Sequence, residues 1–192
     1  MGQLSFFSAE TDEPSLEDLS GLFAAHGQSM ISPAGSRVSI VVDAQWRADA
    51  LVAEIDRCGV RAHVATSDEG SAMARTETSK LLDTLNRTWL KGAIKTMPAD
   101  WVPSNRAMRL WTIAAGRPDE DRYLLGLDPH APETHSPLAT ALMRAGIAPT
   151  LVGTRGSSPA LRIAGRRRMS RLVENIGAPP DDLDAVAFWP TL

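Results

Sequence analysis

Long apolar runs are missing from this 192-residue chain. No stretch approaches the roughly 18 apolar residues that a membrane-spanning helix needs, so no membrane partner is expected. Cysteine is nearly absent. The single Cys58 excludes an internal disulfide and fits a reducing, cytoplasmic compartment. Its place on an apolar helical face predicts a buried, inert thiol. The first residues, from Met1 onward, lack the basic start and apolar core of a secretory signal. Also missing are a glycine-rich phosphate loop ending in Lys-Ser/Thr, a dinucleotide fingerprint, a nucleophile elbow and a zinc-spaced cysteine pair. These absences leave no positive ground for an enzyme, and no cofactor or metal is expected. Lysines and tyrosines are scarce while Ala, Arg, Gly and Pro are plentiful, a composition similar to that of proteins from high-GC bacteria such as actinobacteria.

What is present reads as an ordinary globular protein. The chain is long enough for a real core. Its formal net charge is −3, which argues against a nucleic-acid partner unless positive charge is segregated to one surface. Residues 1–14 read as a tail or an early strand followed by an acidic linker. Ser15 with Asp18 three residues on predicts a capped helix start, and that helix runs to about Ala25. A hairpin follows over 28–42, then a helix over 46–58 stopping at Gly59. Short strands at 60–66 and 72–76 lead into a helix over 79–87.

The remainder repeats this order. Residues 50–89 slide onto 137–176 at a constant offset of 87 without a gap, so that Leu51 meets Leu138, Gly59 meets Gly146 and Arg75 meets Arg162. Upstream an offset of 85 places Arg37 on Arg122, Ile40 on Leu125 and Asp43 on Asp128. Apolar spacing carries the register. The second copy predicts strands at 107–115 and 122–127, a helix over 136–145, strands at 150–153 and 160–164, and a helix over 166–176. The tail, 178–192, ends in Phe188-Trp189, aromatics that should dock on the body.

Two glycines stand inside apolar, helix-like runs. Leu19-Ser-Gly-Leu-Phe-Ala-Ala-His-Gly27 and Trp89-Leu-Lys-Gly-Ala-Ile-Lys-Thr-Met97 share the core Leu-x-Gly-apolar-apolar at Gly21 and Gly92. A helical glycine costs about 1 kcal/mol against alanine, so two in matching places predict two helix backbones in close approach. This pattern resembles the LAGLIDADG helix pair of homing endonucleases and their non-cutting relatives. The resemblance implies an α/β (α+β) fold of two pseudo-symmetric αββαββα repeats, here 15–86 and 87–177. The paired antiparallel sheets would form a concave saddle. It also implies two metal-binding carboxylates just before the helix-ending glycines. The matching positions here are His26 and Met97, neither suited to magnesium, so the scaffold is expected without the cutting chemistry. WhiA-type regulators, which have also lost the catalytic acids, offer the nearest analogy. A second cluster, Asp128, His130, Glu133 and His135, carries metal-ligand side chains, but a strand-ending Asp and a polar helix start is its plainer reading.

Strand alternation places Arg162 on the open sheet face, opposite Leu161 and Ile163. Arg75, Arg37 and Arg122 join it by duplication, and Arg109 with Trp111 if 107–115 is a strand. Arg167 and Arg171 share a face of the last long helix. Such a set suits a phosphate backbone and base edges, although solvated surface charge would look the same. The expectation is a cytoplasmic monomer that binds double-stranded DNA without cutting it, in a regulatory role. The main rival is a scaffold for a protein partner. A nuclease using Asp128 and His135 is a third.

Overall fold

The computed structural model describes residues 8–156 and 158–192. Of residues 1–14, read as a tail or an early strand before an acidic linker, 1–7 lie outside the described residues and 8–14 form turns with no strand. A 3-10 turn, Leu16–Leu19, leads into the short helix α1 (Ser20–Ala24). The turn opens as the sequence predicts: the Ser15 N–H donates to the Asp18 carboxylate at 2.8 Å. Strands β1 (Gln28–Ser32) and β2 (Gly35–Val41), helix α2 (Gln45–Arg57), strands β3 (Ala62–Thr66) and β4 (Ala72–Thr76), and helix α3 (Asp83–Trp89) complete the first copy. The sheet order is β1-β2-β4-β3, antiparallel throughout.

After a small hairpin, β5 (Leu90–Lys91) and β6 (Ile94–Lys95), the pattern recurs. It comprises helix α4 (Asn105–Ala115), strands β7 (Gly116–Asp119) and β8 (Arg122–Gly126), helix α5 (His135–Arg144), strands β9 (Thr150–Val152) and β10 (Ala160–Ile163), and helix α6 (Arg166–Ile176). The second sheet has order β7-β8-β10-β9, the same topology as the first. The two αββαββα copies are therefore real. A division at residue 87 would cut through α3.

The helix that pairs with α1 is not the segment 89–97. Trp89 ends α3, and Gly92 occupies the tight β5–β6 turn at φ 66° with open space around it. The partner is α4, which the sequence predicts as a strand. Every residue from Arg106 to Ala114 is buried. Its polar residues Arg106, Arg109 and Thr112 do recur at helical spacing, but the Met108/Leu110 alternation with Arg109/Trp111 imitates a strand. Ser104 caps it, accepting the Ala107 N–H at 3.0 Å. Gly21 permits the crossing: a Cβ there would sit 2.0 Å from the Ala107 carbonyl oxygen.

One core runs through both copies, including Phe23, Ile40 and Leu51 from the first and Trp111, Tyr123 and Leu161 from the second. Cys58 lies in it, and burial, helped by the Asp18 charge, pushes its thiol up to about 12. The tail folds back as α7 (Leu183–Phe188). Tyr123 Oη donates to the Phe188 carbonyl at 2.9 Å and Trp189 Nε1 to the Gly177 carbonyl at 2.9 Å.

Substituting Gly21 by Ala drives a methyl into backbone that cannot move aside, and the expected loss is about 3 kcal/mol or more. Gly92→Ala meets no neighbour and should lose only about 1 kcal/mol, from its left-handed backbone. Urea unfolding of the two variants checks this; equal losses would mean that the helix crossing tolerates a side chain.

Candidate nucleic-acid interface

Each sheet turns one face to the helices and one outward. In β2, Val38 and Ile40 are buried while Arg37 and Ser39 between them are not. Pairing carries this alternation across the sheet. Gln28, Ser39, Arg75 and His63 stand in one row on the outer face, with Met30 and Arg37 in the next. In the second sheet Arg117, Leu124, Arg162 and Thr150 form the corresponding row, flanked by Asp119 and Arg122. Ser39 and Leu124, Arg75's and Arg162's cross-strand neighbours, are themselves 85 apart, so the duplicated arginines hold equivalent places. All five outer-face arginines are half-buried. Arg37 and Arg75 donate only to methionine sulfurs, at 3.6 and 3.7 Å, and Arg75 Nε has no partner. Arg122 makes a loose, solvent-exposed pair with Asp121 at 3.4 Å. Their guanidinium groups are thus uncommitted to any strong anion.

Beneath the sheets the two central helices end at Gly27 and Gly116, and the residues before those glycines are His26 and Ala115. His26 Nε2 donates to the Val41 carbonyl at 2.6 Å. Ala115, not Met97, takes the second position; Met97 lies in the connector and packs against the core. Neither helix end offers a carboxylate. The cleft there, about 430 Å³, is lined by His26, Asp43, Arg47, Ala115, Pro129 and Ser158 among others.

Two buried cations occupy this floor. Arg47 donates to the carbonyls of Ile113 at 2.6 Å and Gly116 at 2.7 Å, and pairs with Asp43 at 2.8 Å. Its guanidinium carbon lies against both the Trp46 ring, 4.6 Å from the centroid, and the Phe188 ring, at 5.1 Å. Lys95 donates to the Ala25 carbonyl at 3.3 Å and pairs with Asp128 at 2.6 Å. Asp43 and Asp128 are the duplicated strand-end pair. Each cation therefore caps the C-terminus of a central helix, where the dipole favours positive charge. Both of these carboxylates are thus paired with a cation.

The remaining sequence expectations sort clearly. Arg37, Arg75, Arg122 and Arg162 share the outer faces as expected. Arg109 and Trp111 do not, because both lie inside α4. Arg109 pairs with buried Glu54 at 2.8 Å, and Trp111 Nε1 donates to the Gly126 carbonyl at 2.8 Å. Arg167 and Arg171 are exposed on α6, off the sheets. In the Asp128–His135 segment, His135 Nε2 donates to the Asp128 carbonyl at 2.7 Å and His130 points outward. Among the described residues no three His, Cys, Asp or Glu side chains converge as metal ligands. Arg117 is the outer-face arginine that sequence reading missed, since 116–119 falls in the gap between the strands predicted at 107–115 and 122–127. Its signal was Gly116-Arg117, matching Gly27-Gln28 after the first helix.

The architecture defines a class: this chain has a LAGLIDADG-like fold. It is similar to the homing endonuclease I-WcaI bound to its DNA recognition sequence, with TM-score 0.59 and 14% identity over 82% of this chain and 77% of that one. It is similar to full-length DUF199/WhiA from Thermatoga maritima, with TM-score 0.60 and 12% identity over 88% of this chain and 57% of that one. The N-terminal LAGLIDADG domain of DUF199/WhiA gives 0.58 and 12%, over 88% and 85%. The chain thus spans little more than half of full-length WhiA. No family model and no curated protein matches the sequence.

The Lys95–Asp128 pair should show itself in acid. Burial by itself would raise the Asp128 carboxyl, but the hydrogen bond and charge of Lys95 hold it below the usual carboxylate value. Its contribution is therefore complete above the unfolded value, near pH 4, and is lost as pH falls through the folded value. Asp128→Asn leaves Lys95 buried without a counter-ion and should cost about 3 kcal/mol at neutral pH. The gap between wild type and variant should narrow below about pH 4. Urea midpoints at neutral and acid pH measure it; a gap independent of pH would assign the loss to packing alone.

Proposed function

We propose that this protein is a non-catalytic, regulatory nucleic-acid-binding protein that takes double-stranded DNA along the outer faces of its two sheets, as a cytoplasmic monomer. The observation that carries this reading is the equivalent placement of Arg75 and Arg162 in the two sheets. Arg37, Arg117 and Arg122 stand around them on the same faces. Half-buried guanidinium groups with no strong anion at hand suit phosphate oxygens, which they meet in a planar, bidentate way. Rows repeated about a pseudo-twofold suit a duplex, whose backbone repeats along its axis. I-WcaI, a protein of the same fold, is bound to DNA.

Cutting is a separate matter. Phosphodiester hydrolysis on such a scaffold needs acidic groups to hold divalent metal under the scissile phosphates. The helix ends here carry His26 and Ala115, and the nearby carboxylates are paired with Arg47 and Lys95. The protein should leave duplex DNA intact in magnesium and in manganese. Nicking that tracks with Asp43 or Asp128 would restore the nuclease reading.

Binding is tested by titrating duplex DNA at several salt concentrations. The affinity should fall steeply with salt, because each neutralised phosphate releases counterions. Arg75→Ala with Arg162→Ala should weaken binding on many sequences alike and make the logarithmic salt slope shallower by about two. No binding even at low ionic strength would overturn the proposal in favour of a protein-interaction scaffold.

A further inference from the structure

Positive charge is not shared equally by the two repeats. At the offset that places Arg75 on Arg162, residues Arg166, Arg167, Arg168 and Arg171 fall on Ser79, Lys80, Leu81 and Thr84. The second repeat thus carries four arginines where the first carries one lysine. They belong to α6, which begins four residues after Arg162. Strand β10 starts beside the central floor, where Pro159 lines the cleft, and runs outward. Helix α6 therefore starts at the far end of the second sheet, continuous with its outer-face arginines.

All four side chains are exposed, and among the described residues none forms an ion pair. Arg168 Nη1 makes one long contact to the Ala164 carbonyl, 3.4 Å. With Gly146, Ala148 and Gly165 they line an open groove of about 950 Å³, in which Glu174 is the single carboxylate. Arg171 lies alongside Gly146, its Nε at ordinary contact distance, 3.6 Å, from where a Cβ would stand. Arg166, Arg167 and Arg168 occupy the first turn of α6, where the dipole already supplies positive charge. Mutual repulsion adds to that cost, and a bound polyanion relieves both.

We propose that this groove is a second phosphate-binding surface, which takes the backbone of a duplex where it runs past the end of the second sheet. The second repeat is then the electrostatic anchor of an asymmetric complex. The inference rests on the nucleic-acid reading above. Continuity with Arg162 and Arg122, and the use of arginine throughout, favour a nucleic-acid backbone over an acidic polypeptide.

The test compares a short duplex covering only the two sheets with one extended by about one helical turn, roughly 10 bp, at each end. The wild-type protein should prefer the longer duplex. A variant with Arg166→Gln, Arg167→Gln, Arg168→Gln and Arg171→Gln should lose that preference, bind the long duplex about tenfold more weakly and show a salt slope shallower by two to three units. It should bind the short duplex as before, and its urea midpoint should not fall. Lys80→Gln at the other end should change long-duplex affinity less than twofold. An unchanged slope in the four-arginine variant, with binding still abolished by Arg75→Ala and Arg162→Ala, would overturn the groove alone. Wild type that binds no duplex at any salt would overturn both readings. Loss of polyglutamate binding by the variant, with its DNA binding unaltered, would identify an acidic polypeptide as the occupant and end the proposal.

Discussion

The Ala107 carbonyl occupies the volume that any side chain at residue 21 would need. This contact brings α1 and α4 together backbone to backbone, and the rest of the molecule is arranged around it. Each helix leads directly into the first strand of its own sheet, so the crossing fixes where both sheets lie. The starts of the two helices share one carboxylate. Asp18 accepts the Ser15 N–H and also the Ser104 hydroxyl, the latter at 2.6 Å. One side chain thereby ties the cap of the first helix to the cap of the second. Farther along, buried Glu54 of α2 receives Arg106 at 2.9 Å and Arg109 at 2.8 Å, both from α4. Taking these charges from water is costly, and removing any one of them would cost more, because the others would remain buried without a partner.

The far ends of the helices are locked in a crosswise manner. Arg47 belongs to the first repeat and caps α4 of the second. Lys95, from the connector that introduces the second repeat, caps α1 of the first. The orphan carbonyls of a helix end need donors, and here the donors also carry the charge that the dipole favours. Phe188 of the tail lies over Arg47, and Trp189 lies over Arg109 with its ring 5.3 Å from the guanidinium carbon. The tail thus shields both arginines from solvent. The far ends of the central helices thus serve to hold the two repeats together.

Much of this was legible because the outer elements keep their periods. Helices α2, α5 and α6 stop at or just before Gly59, Gly146 and Gly177 as expected, and β2, β4, β8 and β10 fall where alternating residues put them. The offset of 87 located Arg75 and Arg162 in equivalent places without coordinates. What failed was the centre. The polar stripe of α4, Arg106, Arg109 and Thr112, was masked by the strand-like alternation of Met108 and Leu110, and its arginines are satisfied by Glu54, more than 50 residues away in sequence. No local signal records that partner. The Leu-x-Gly match at 90–94 misled because a glycine is equally at home in a close helix crossing and in a two-residue turn. Ser104 and Gly116, a cap and a stop enclosing eleven residues, were the better pair of markers.

The overall charge of −3 is a weak guide to what this surface attracts. At physiological ionic strength a fixed charge is felt over about 8 Å, less than the distance across a domain of this size. A phosphate at the sheets therefore responds to the arginines nearest it and hardly at all to acids on another face. Several of the acids stand elsewhere. Glu10, Asp12, Asp49, Asp181 and Asp182 line a separate groove beside α2 and the tail, around the mouth that leads to Glu54. That side is held by the N-terminal segment and the tail. On the outer faces Arg37, Arg75, Arg117 and Arg162, and at the start of α6 Arg166, Arg167 and Arg168, form no ion pair among the described residues. Segregation of this kind lets an acidic chain present a basic surface, and it would orient a polyanion on approach, since the acidic side repels what the other side holds.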